Sequence, residues 1–207
     1  MDKLVISSHG NVESAKEFTN SLEKSQFTFC LVISYTETSE IPGITIAGAD
    51  KEFLKFTSPA DAEFLRHGSC KCIDSIPMSP DGKPTPALLA KAALDSAKIP
   101  HFVINAGSKI SPDTSHFDSQ LEFGKNISES TALSPEKVAE GIEFGKIIGK
   151  SICRPNECLV IGESIPGGTT TALAVLKGFG INTSVSCLLY TSPSPRDAHE
   201  SRMPSSA

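Results

Sequence analysis

The chain has 207 residues, of which 39% are hydrophobic, so it is long and apolar enough for a folded domain, and disorder is not expected. Nineteen basic residues stand against 24 acidic ones, giving a net charge of −5 without any block of lysine or arginine, so neither nucleic acid nor an anionic membrane is predicted as a partner. No apolar run approaches the roughly 20 residues that span a bilayer, and the N-terminus lacks a signal-peptide core, which predicts a soluble, cytoplasmic protein.

The N-terminal part of the chain contains one strongly marked strand. Residues 4–6 predict a short first strand, and residues 11–24 predict a polar, weakly amphipathic helix. Residues 27–34 form a nearly continuous apolar and β-branched run, which is typical of a strand buried on both faces of a parallel sheet. The following loop, over 35–50, is rich in Thr, Glu, Gly and Pro, and loops of this length usually serve a function or cover a ligand.

Helix and strand signals alternate in the middle of the chain. Short helical pieces are predicted over 51–56 and 60–67, followed by a loop that ends at 81–84. A helix over 86–98 with one apolar face leads into a buried strand at His101–Asn105. This order predicts an α/β protein with a Rossmann-like parallel sheet flanked by helices.

The last predicted elements continue this alternation. Ser134 and Pro135 form an N-cap and first-turn pair, and apolar residues recur at helical spacing from there to Ile152. A strand at 158–161, a glycine-rich turn and a helix through Lys177 follow, with Gly178 as the predicted helix stop and a further strand beginning at 181.

Residues 187–207 differ in composition from everything before them. This Ser- and Pro-rich string shows no helix or strand period and resembles the in-frame translation of a sequencing adapter around a variable index. The alternative is a natural disordered tail. We therefore predict a partial α/β domain over 1–186, incomplete because the natural chain is cut near Ser186, and a non-native disordered tail over 187–207.

The six cysteines predict neither a disulfide scaffold nor a metal site. They are sparse for a chain of this length, so reduced thiols are expected. Zinc ligands usually follow other spacings than the two close cysteine pairs of this chain, which are Cys70 with Cys72 and Cys153 with Cys158.

The segment Gly162–Ala172 is the best candidate for a ligand site. It lies between a buried strand and a helix, where two glycines, three threonines and the helix N-terminus could present N–H and hydroxyl donors to a phosphate. The candidate binding residues are Gly162, Gly167, Gly168, Thr169, Thr170 and Thr171. The alternative is an ordinary strand-to-helix turn capped by Thr169. The order of residues matches neither a Walker loop nor a dinucleotide fingerprint.

Charged and polar residues near the predicted strand ends are further candidates. Glu163 in the same turn could orient a ribose hydroxyl, stabilise a cationic sugar-like transition state or take a proton; otherwise it is a solvated loop glutamate. Ser108 and Lys109 follow the strand at 101–105, where parallel sheets place ligands, although a surface lysine is the commoner outcome. Glu37 lies in the loop after the first buried strand, whose alternative is a solvated acidic loop. No histidine accompanies a nucleophile motif, so hydrolase chemistry has no support.

Three segments together resemble the archaeal-type branch of the nicotinate-nucleotide:dimethylbenzimidazole phosphoribosyltransferase family. They are 34–48, 101–109 and 162–174, and the similarity covers roughly 27–186. The family motif Gly-Glu-x-x-x-Gly-x-Thr-Thr-Thr-Ala matches this chain from Gly162 to Ala172 without a gap. The bacterial branch usually has asparagine at the position of Gly168 and lacks Pro166.

This resemblance implies a function that the residues alone do not. Members transfer phosphoribose from nicotinate mononucleotide to a benzimidazole-type base, making the lower-ligand nucleotide of cobalamin, and typically act as homodimers. It implies that the glycine-rich loop meets the phosphoribosyl part, that Glu163 is catalytic, and that no cofactor or metal is needed. The family's principal base is a glutamate near the C-terminus that nothing here matches, so this chain is expected to be inactive or crippled. The alternatives are a nucleotide-binding regulatory protein without transfer chemistry and a merely structural α/β domain.

Overall fold

In the computed structural model, the described residues are 10–22, 25–45, 47, 51–79, 82–153 and 157–184. The predicted strand at 4–6 and the predicted tail at 187–207 lie outside these ranges. Within them, five α-helices flank a four-stranded sheet, and all pairings between neighbouring strands are parallel. The α/β, Rossmann-like class predicted from the alternation of helix and strand signals is therefore confirmed.

The elements in chain order are α1 (Val12–Leu22), β1 (Gln26–Ile33), a 3₁₀ turn (Glu37–Glu40), α2 (Leu54–His67), α3 (Ala87–Ala97), β2 (His101–Asn105), β3 (Phe117–Asp118), α4 (Pro135–Ile152), β4 (Glu157–Ser164) and α5 (Gly168–Gly178). The sheet order is β3-β2-β1-β4. Because β1 pairs in parallel with both β2 and β4, the loops that leave these three strands lie at the same sheet edge. Open α/β sheets bind ligands outside the carboxyl ends of their strands.

The core lies between one face of the sheet and the helices α2 and α3. It consists of apolar side chains from β1, β2 and both helices, namely Leu31, Ile33, Ala62, Leu65, Leu94 and Val103, with Phe29, Ala90 and Ile99 at its margin. Ile33 and Val103 are completely inaccessible to solvent. The apolar run predicted as a buried strand therefore forms the centre of the sheet, as β1.

The prediction for α2 differs from the structure, whereas that for the end of α5 agrees with it. The helical pieces predicted over 51–56 and 60–67 are a single helix, α2, which continues through Pro59. Proline removes one backbone donor, and here the burial of the helix against the sheet outweighs that loss. The predicted end of α5 is confirmed, because Gly178 is its last residue. Beyond it, Gly180 adopts a φ of 76° and Ile181 N–H bonds to the Leu176 carbonyl at 3.0 Å.

The strand predicted from 181 is wrong for residues 181–184, which form no regular structure. Ile181 completes the helix terminus, so its N–H is not offered to a neighbouring strand. By contrast, the predicted start of α4 is confirmed. The Ser134 hydroxyl accepts a hydrogen bond from Lys137 N–H at 3.3 Å, and Pro135 occupies the first turn.

The second half of the chain leaves much apolar surface uncovered. No residue of α4 or α5 is buried, although both are well-formed helices. On β4, Ile161 is 67% exposed, and on α4, Ile142 is 56% exposed. Apolar patches of this kind normally meet another surface. No helix within the described ranges is both long and apolar enough to cross a bilayer.

Candidate functional site

The glycine-rich turn joins the end of β4 to the start of α5 and depends on glycine at its cap. Gly167 adopts a φ of 75°, a left-handed conformation that glycine enters without a side-chain clash. A Cβ placed there would also lie 3.3 Å from Ser39 Cβ, in the 3₁₀ turn after β1. The predicted alternative was an ordinary strand-to-helix turn capped by Thr169, and only its cap is wrong, because Gly167 occupies that position and Thr169 lies inside the first helical turn.

Some of the backbone amides of this turn are already paired. Gly168 N–H donates to the Ile165 carbonyl at 3.3 Å, and the N–H groups of Thr170 and Thr171 donate to the Gly167 carbonyl. Among the described residues, no acceptor pairs with the N–H groups of Gly167 and Thr169. Of the N–H donors predicted for the segment Gly162–Ala172, those of Gly167 and Thr169 are therefore unpaired within this turn. They lie at the N-terminus of α5, where the helix dipole favours an anion.

Glu163 is the acidic side chain beside this helix terminus. Its Oε1 atom lies 3.0 Å from the position that a Cβ on Gly168 would occupy, so the glycine makes room for the carboxylate. The side chain is exposed, and no described residue forms a hydrogen bond or ion pair with it. A carboxylate at this position can interact with a ligand without first breaking an internal contact.

A cavity of about 660 Å³ opens beside the turn, a volume typical of small-molecule sites. Its wall is mostly apolar and includes Phe29, Leu31, Leu65, Pro77, Met78 and Ala90. Its rim contains five of the predicted site residues, namely Gly162, Glu163, Gly167, Gly168 and Thr169. The fold therefore brings the predicted acid and the predicted phosphate donors to the edge of one apolar hollow.

Polar groups from three elements meet at the wall of this cavity. Asp61 on α2 is buried, and its two carboxylate oxygens accept hydrogen bonds from the hydroxyls of Thr85 and Ser164, both at 2.7 Å. Burial raises the pKa of Asp61 to about 6, although the two hydrogen bonds act in the opposite direction. Because Ser164 follows Glu163 directly, this contact joins α2 to the end of β4 that carries the predicted acid.

Lys109 lies in a second cluster of charges, outside the lining of the cavity. Its Nζ atom is 3.0 Å from Glu40 Oε1 and 5.1 Å from the centre of the Tyr35 ring. Glu40 also accepts a hydrogen bond from Tyr35 and pairs with Lys51 at 3.2 Å. The Tyr35 hydrogen bond, with those of the two lysines, lowers the pKa of Glu40 to about 2, against the effect of burial. Lys109 is therefore neutralised by a carboxylate in this structure.

The other two predicted residues of this edge also make local contacts. The Ser108 hydroxyl bonds to Asn105 Oδ1 and to the Ile110 carbonyl, each at 2.8 Å. Glu37 begins the 3₁₀ turn, and its carboxylate is 3.9 Å from Lys125. The loop around Glu37 is not a solvated acidic loop, because Thr36, Thr38 and Ser39 are buried. The roles proposed for Glu37, Ser108 and Lys109 remain predictions.

Thr170 and Thr171 lie in the first turn of α5, next to Thr169, and do not line the cavity. The Thr171 side chain is exposed, whereas Thr170 Oγ1 is inaccessible and has no hydrogen-bond partner among the described residues. Their proposed contact with a phosphoribosyl group also remains a prediction.

Sequence reasoning missed the polar wall of the cavity. Asp61, Thr57 and Leu65 are spaced four residues apart, so they share one face of α2. An acid on the same helix face as a core leucine is a signal for a buried polar site. It was hidden because the segment was predicted as two short helices on either side of Pro59.

The fold is that of a Rossmann-like α/β protein, and a cavity of small-molecule size lies beside the carboxyl end of β4. The chain is similar to archaeal proteins named UPF0284. It is 49% identical over 172 residues to the Archaeoglobus fulgidus protein, covering 83% of this chain and 51% of that protein.

Two further UPF0284 proteins show the same extent of similarity. The Saccharolobus solfataricus protein is 50% identical over 154 residues, covering 74% of this chain and 44% of the relative. The Metallosphaera sedula protein is 44% identical over 172 residues, covering 83% of this chain and 49% of the relative. The chain thus spans about half the length of these relatives. No protein-family model matches it.

Proposed function

We propose that the protein is a pentosyltransferase, which transfers phosphoribose from nicotinate mononucleotide to dimethylbenzimidazole or a related base, giving α-ribazole phosphate and nicotinate in cobalamin nucleotide-loop assembly. One observation carries the proposal. The unpaired carboxylate of Glu163 lies at the N-terminus of α5, on the rim of a largely apolar cavity of about 660 Å³. The activity is proposed for the longer protein that spans the full length of the relatives.

The two ends of the site suit the two halves of the reaction. The free N–H groups of Gly167 and Thr169, together with the dipole of α5, supply a positive field for the phosphate of the mononucleotide. The apolar wall around Phe29 and Met78 suits a flat aromatic base, which gains affinity from the removal of its rings from water. Glu163 lines the same cavity.

The bonds change at the C1′ carbon of the ribose. The C1′–N bond to nicotinate breaks, with its electron pair leaving on the nicotinate nitrogen, while the lone pair of a ring nitrogen of the incoming base forms the new C1′–N bond. Positive charge grows on the ribose during this exchange, and the Glu163 carboxylate stabilises it. The ring N–H proton of the incoming base passes to a general base. The resemblance implies that this base is a glutamate outside the present chain.

The test separates binding from transfer. A version extended to the length of the relatives should release nicotinate from nicotinate mononucleotide only when dimethylbenzimidazole is present, as measured by chromatography. Glu163→Gln should lower the rate at least about 100-fold and leave mononucleotide binding within a fewfold, because the lost charge acts mainly in the transition state. Tight mononucleotide binding without nicotinate release would instead support the alternative, a nucleotide-binding regulatory protein.

A further inference from the structure

A single buried carboxylate joins two parts of the cavity lining to α2. Asp61 is 7% exposed, and its Oδ1 and Oδ2 atoms accept hydrogen bonds from the hydroxyls of Thr85 and Ser164, each at 2.7 Å. Hydrogen bonds to an ionised carboxylate are stronger than those between neutral groups, and more so where water hardly reaches. Asp61 therefore anchors both residues to a helix that is itself packed on the sheet.

Ser164 connects this anchor to the predicted acid. It is the last residue of β4 and shares a peptide unit with Glu163. No described residue forms a hydrogen bond or ion pair with the Glu163 side chain, so the backbone of β4 decides from where its carboxylate reaches out. The Ser164 carbonyl also accepts a hydrogen bond from Ser34 N–H at 3.2 Å, just after β1. A contact that fixes Ser164 therefore also restricts Glu163.

Thr85 connects the same anchor to another part of the lining, the wall segment, which consists of residues 77–79 and 83–85. All six residues line the cavity. The two halves of the segment lie side by side, because an antiparallel bridge joins them and Thr85 N–H donates to the Pro77 carbonyl at 2.9 Å. The hydrogen bond from the Thr85 hydroxyl to Asp61 therefore fixes the wall segment to α2 at one end.

We infer that Asp61 is a positioning residue, which holds Glu163 and the wall segment in a fixed arrangement around the cavity. The inference rests on the proposed function, because it takes Glu163 to stabilise the charge on the ribose and the wall segment to hold the incoming base. A buried charge costs free energy, and an apolar side chain would fill the same place without that cost. An apolar side chain would accept neither hydroxyl, so only the carboxylate fixes both parts at once.

Steady-state kinetics of a version extended to the length of the relatives separate the two contacts. Ser164→Ala should lower kcat at least about fivefold and leave both KM values within about twofold, because a displaced Glu163 stabilises the transition state less well. Thr85→Val should raise the KM for dimethylbenzimidazole at least about fivefold and leave kcat within about twofold, because it frees the wall segment. Asp61→Leu should show both changes. General loosening of the fold would not divide kcat from KM in this way.

Hydrogen exchange on the present chain tests the same contacts without any transfer reaction. Ser164→Ala should speed exchange of the Ser34 amide at least about tenfold, because that amide bonds to the Ser164 carbonyl. Thr85→Val should do the same for the Ser79 amide, which is hydrogen-bonded within the wall segment at 2.9 Å. Each variant should leave the other amide unchanged. The matched control is Ser151→Ala, which removes an exposed hydroxyl bonded within α4 and should affect neither amide.

Two results would overturn the inference. The first is wild-type exchange of both amides in Ser164→Ala and Thr85→Val, and the second is a kinetic effect of these variants that is not divided between kcat and KM. If Asp61→Leu does not fold, the two hydroxyl variants decide the matter.

The proposed transfer fails separately. An extended wild-type protein that releases no nicotinate would contradict the transferase proposal, and hydrogen exchange would then decide whether Asp61 holds the two parts of the lining. A protein that transfers phosphoribose equally well with and without the two hydroxyls would contradict only the role of Asp61.

Discussion

The helices α2 and α4 make the clearest contrast in this molecule. Nine residues of α2 are buried, including Asp61 and Glu63, although its sequence is rich in polar residues and contains a proline. No residue of α4 is buried, although apolar side chains recur along it at helical spacing. Amphipathic spacing therefore predicts a helix, but it does not predict which helix is packed against the rest of the fold. In this chain the covered helix α2 lines the cavity, and α4 presents apolar side chains to solvent.

The largest effect is expected in the core beside α2. Leu65→Ala should lower the free energy of unfolding by about 2 to 5 kcal/mol, because Leu65 is 1% exposed and its removal leaves a cavity against β1. Urea denaturation measures this change. A loss below about 1 kcal/mol would show that α2 is not firmly packed on the sheet.

The next effect concerns the pH dependence that Asp61 imposes. Burial raises the pKa of Asp61 to about 6 in the folded protein, above its ordinary value of 3.8, so the folded state holds this proton more tightly than the unfolded state. Asp61 therefore lowers stability progressively as the pH rises from about 4 to about 6, by up to about 3 kcal/mol.

Asp61→Asn removes this titration. The stability of the variant relative to wild type should rise by up to about 3 kcal/mol between pH 4 and pH 7, measured by chemical denaturation at each pH. A difference between the two proteins that stays constant with pH would mean that the Asp61 carboxyl remains well hydrated.

Glu63 shows that two buried acids on one helix can behave in opposite ways. It is completely inaccessible, and its carboxylate accepts hydrogen bonds from the backbone N–H groups of Lys71, Cys72 and Asp113. Burial alone would raise the pKa of Glu63, but these N–H groups together lower it below its ordinary value. The carboxylate thereby joins two loops to α2.

Glu63→Gln should lower the free energy of unfolding by about 2 kcal/mol, because the amide turns a donor toward backbone donors. The matched control is Glu143→Gln on exposed α4, which should change stability by less than about 0.5 kcal/mol. Thermal denaturation of both variants provides the comparison. Equal effects at the two positions would contradict the structural role of Glu63.

The smallest effect is expected on α4. Ile142→Ser should alter the free energy of unfolding of this chain by no more than about 0.5 kcal/mol, since Ile142 is 56% exposed. A loss above about 1 kcal/mol would show that α4 packs on another surface in solution. Sedimentation at several concentrations would then tell whether that surface is a second copy of the chain.

Much of the fold could be predicted because its signals are local. The apolar run that forms β1 and the Ser134–Pro135 start of α4 appear as contiguous patterns, and both are found where they were expected. One prediction failed where a distant contact decides the outcome, because packing against the sheet carries α2 through Pro59. The strand predicted from 181 failed for a local reason, since Ile181 N–H bonds back to the Leu176 carbonyl at the end of α5.

The candidate site also has features that the sequence predicts and features that only the tertiary structure determines. The sequence by itself determined the α/β alternation, the position of the glycine-rich turn after a buried strand, and the presence of an acid in that turn, because each depends on residues close together in the chain. Only the tertiary structure decided which partners these residues meet. It pairs Lys109 with Glu40 and brings Asp61 to Ser164, residues that lie 103 positions apart. Hydrogen bonds and ion pairs act over a few ångströms in space, so their partners depend on how the sheet and helices pack rather than on distance along the chain.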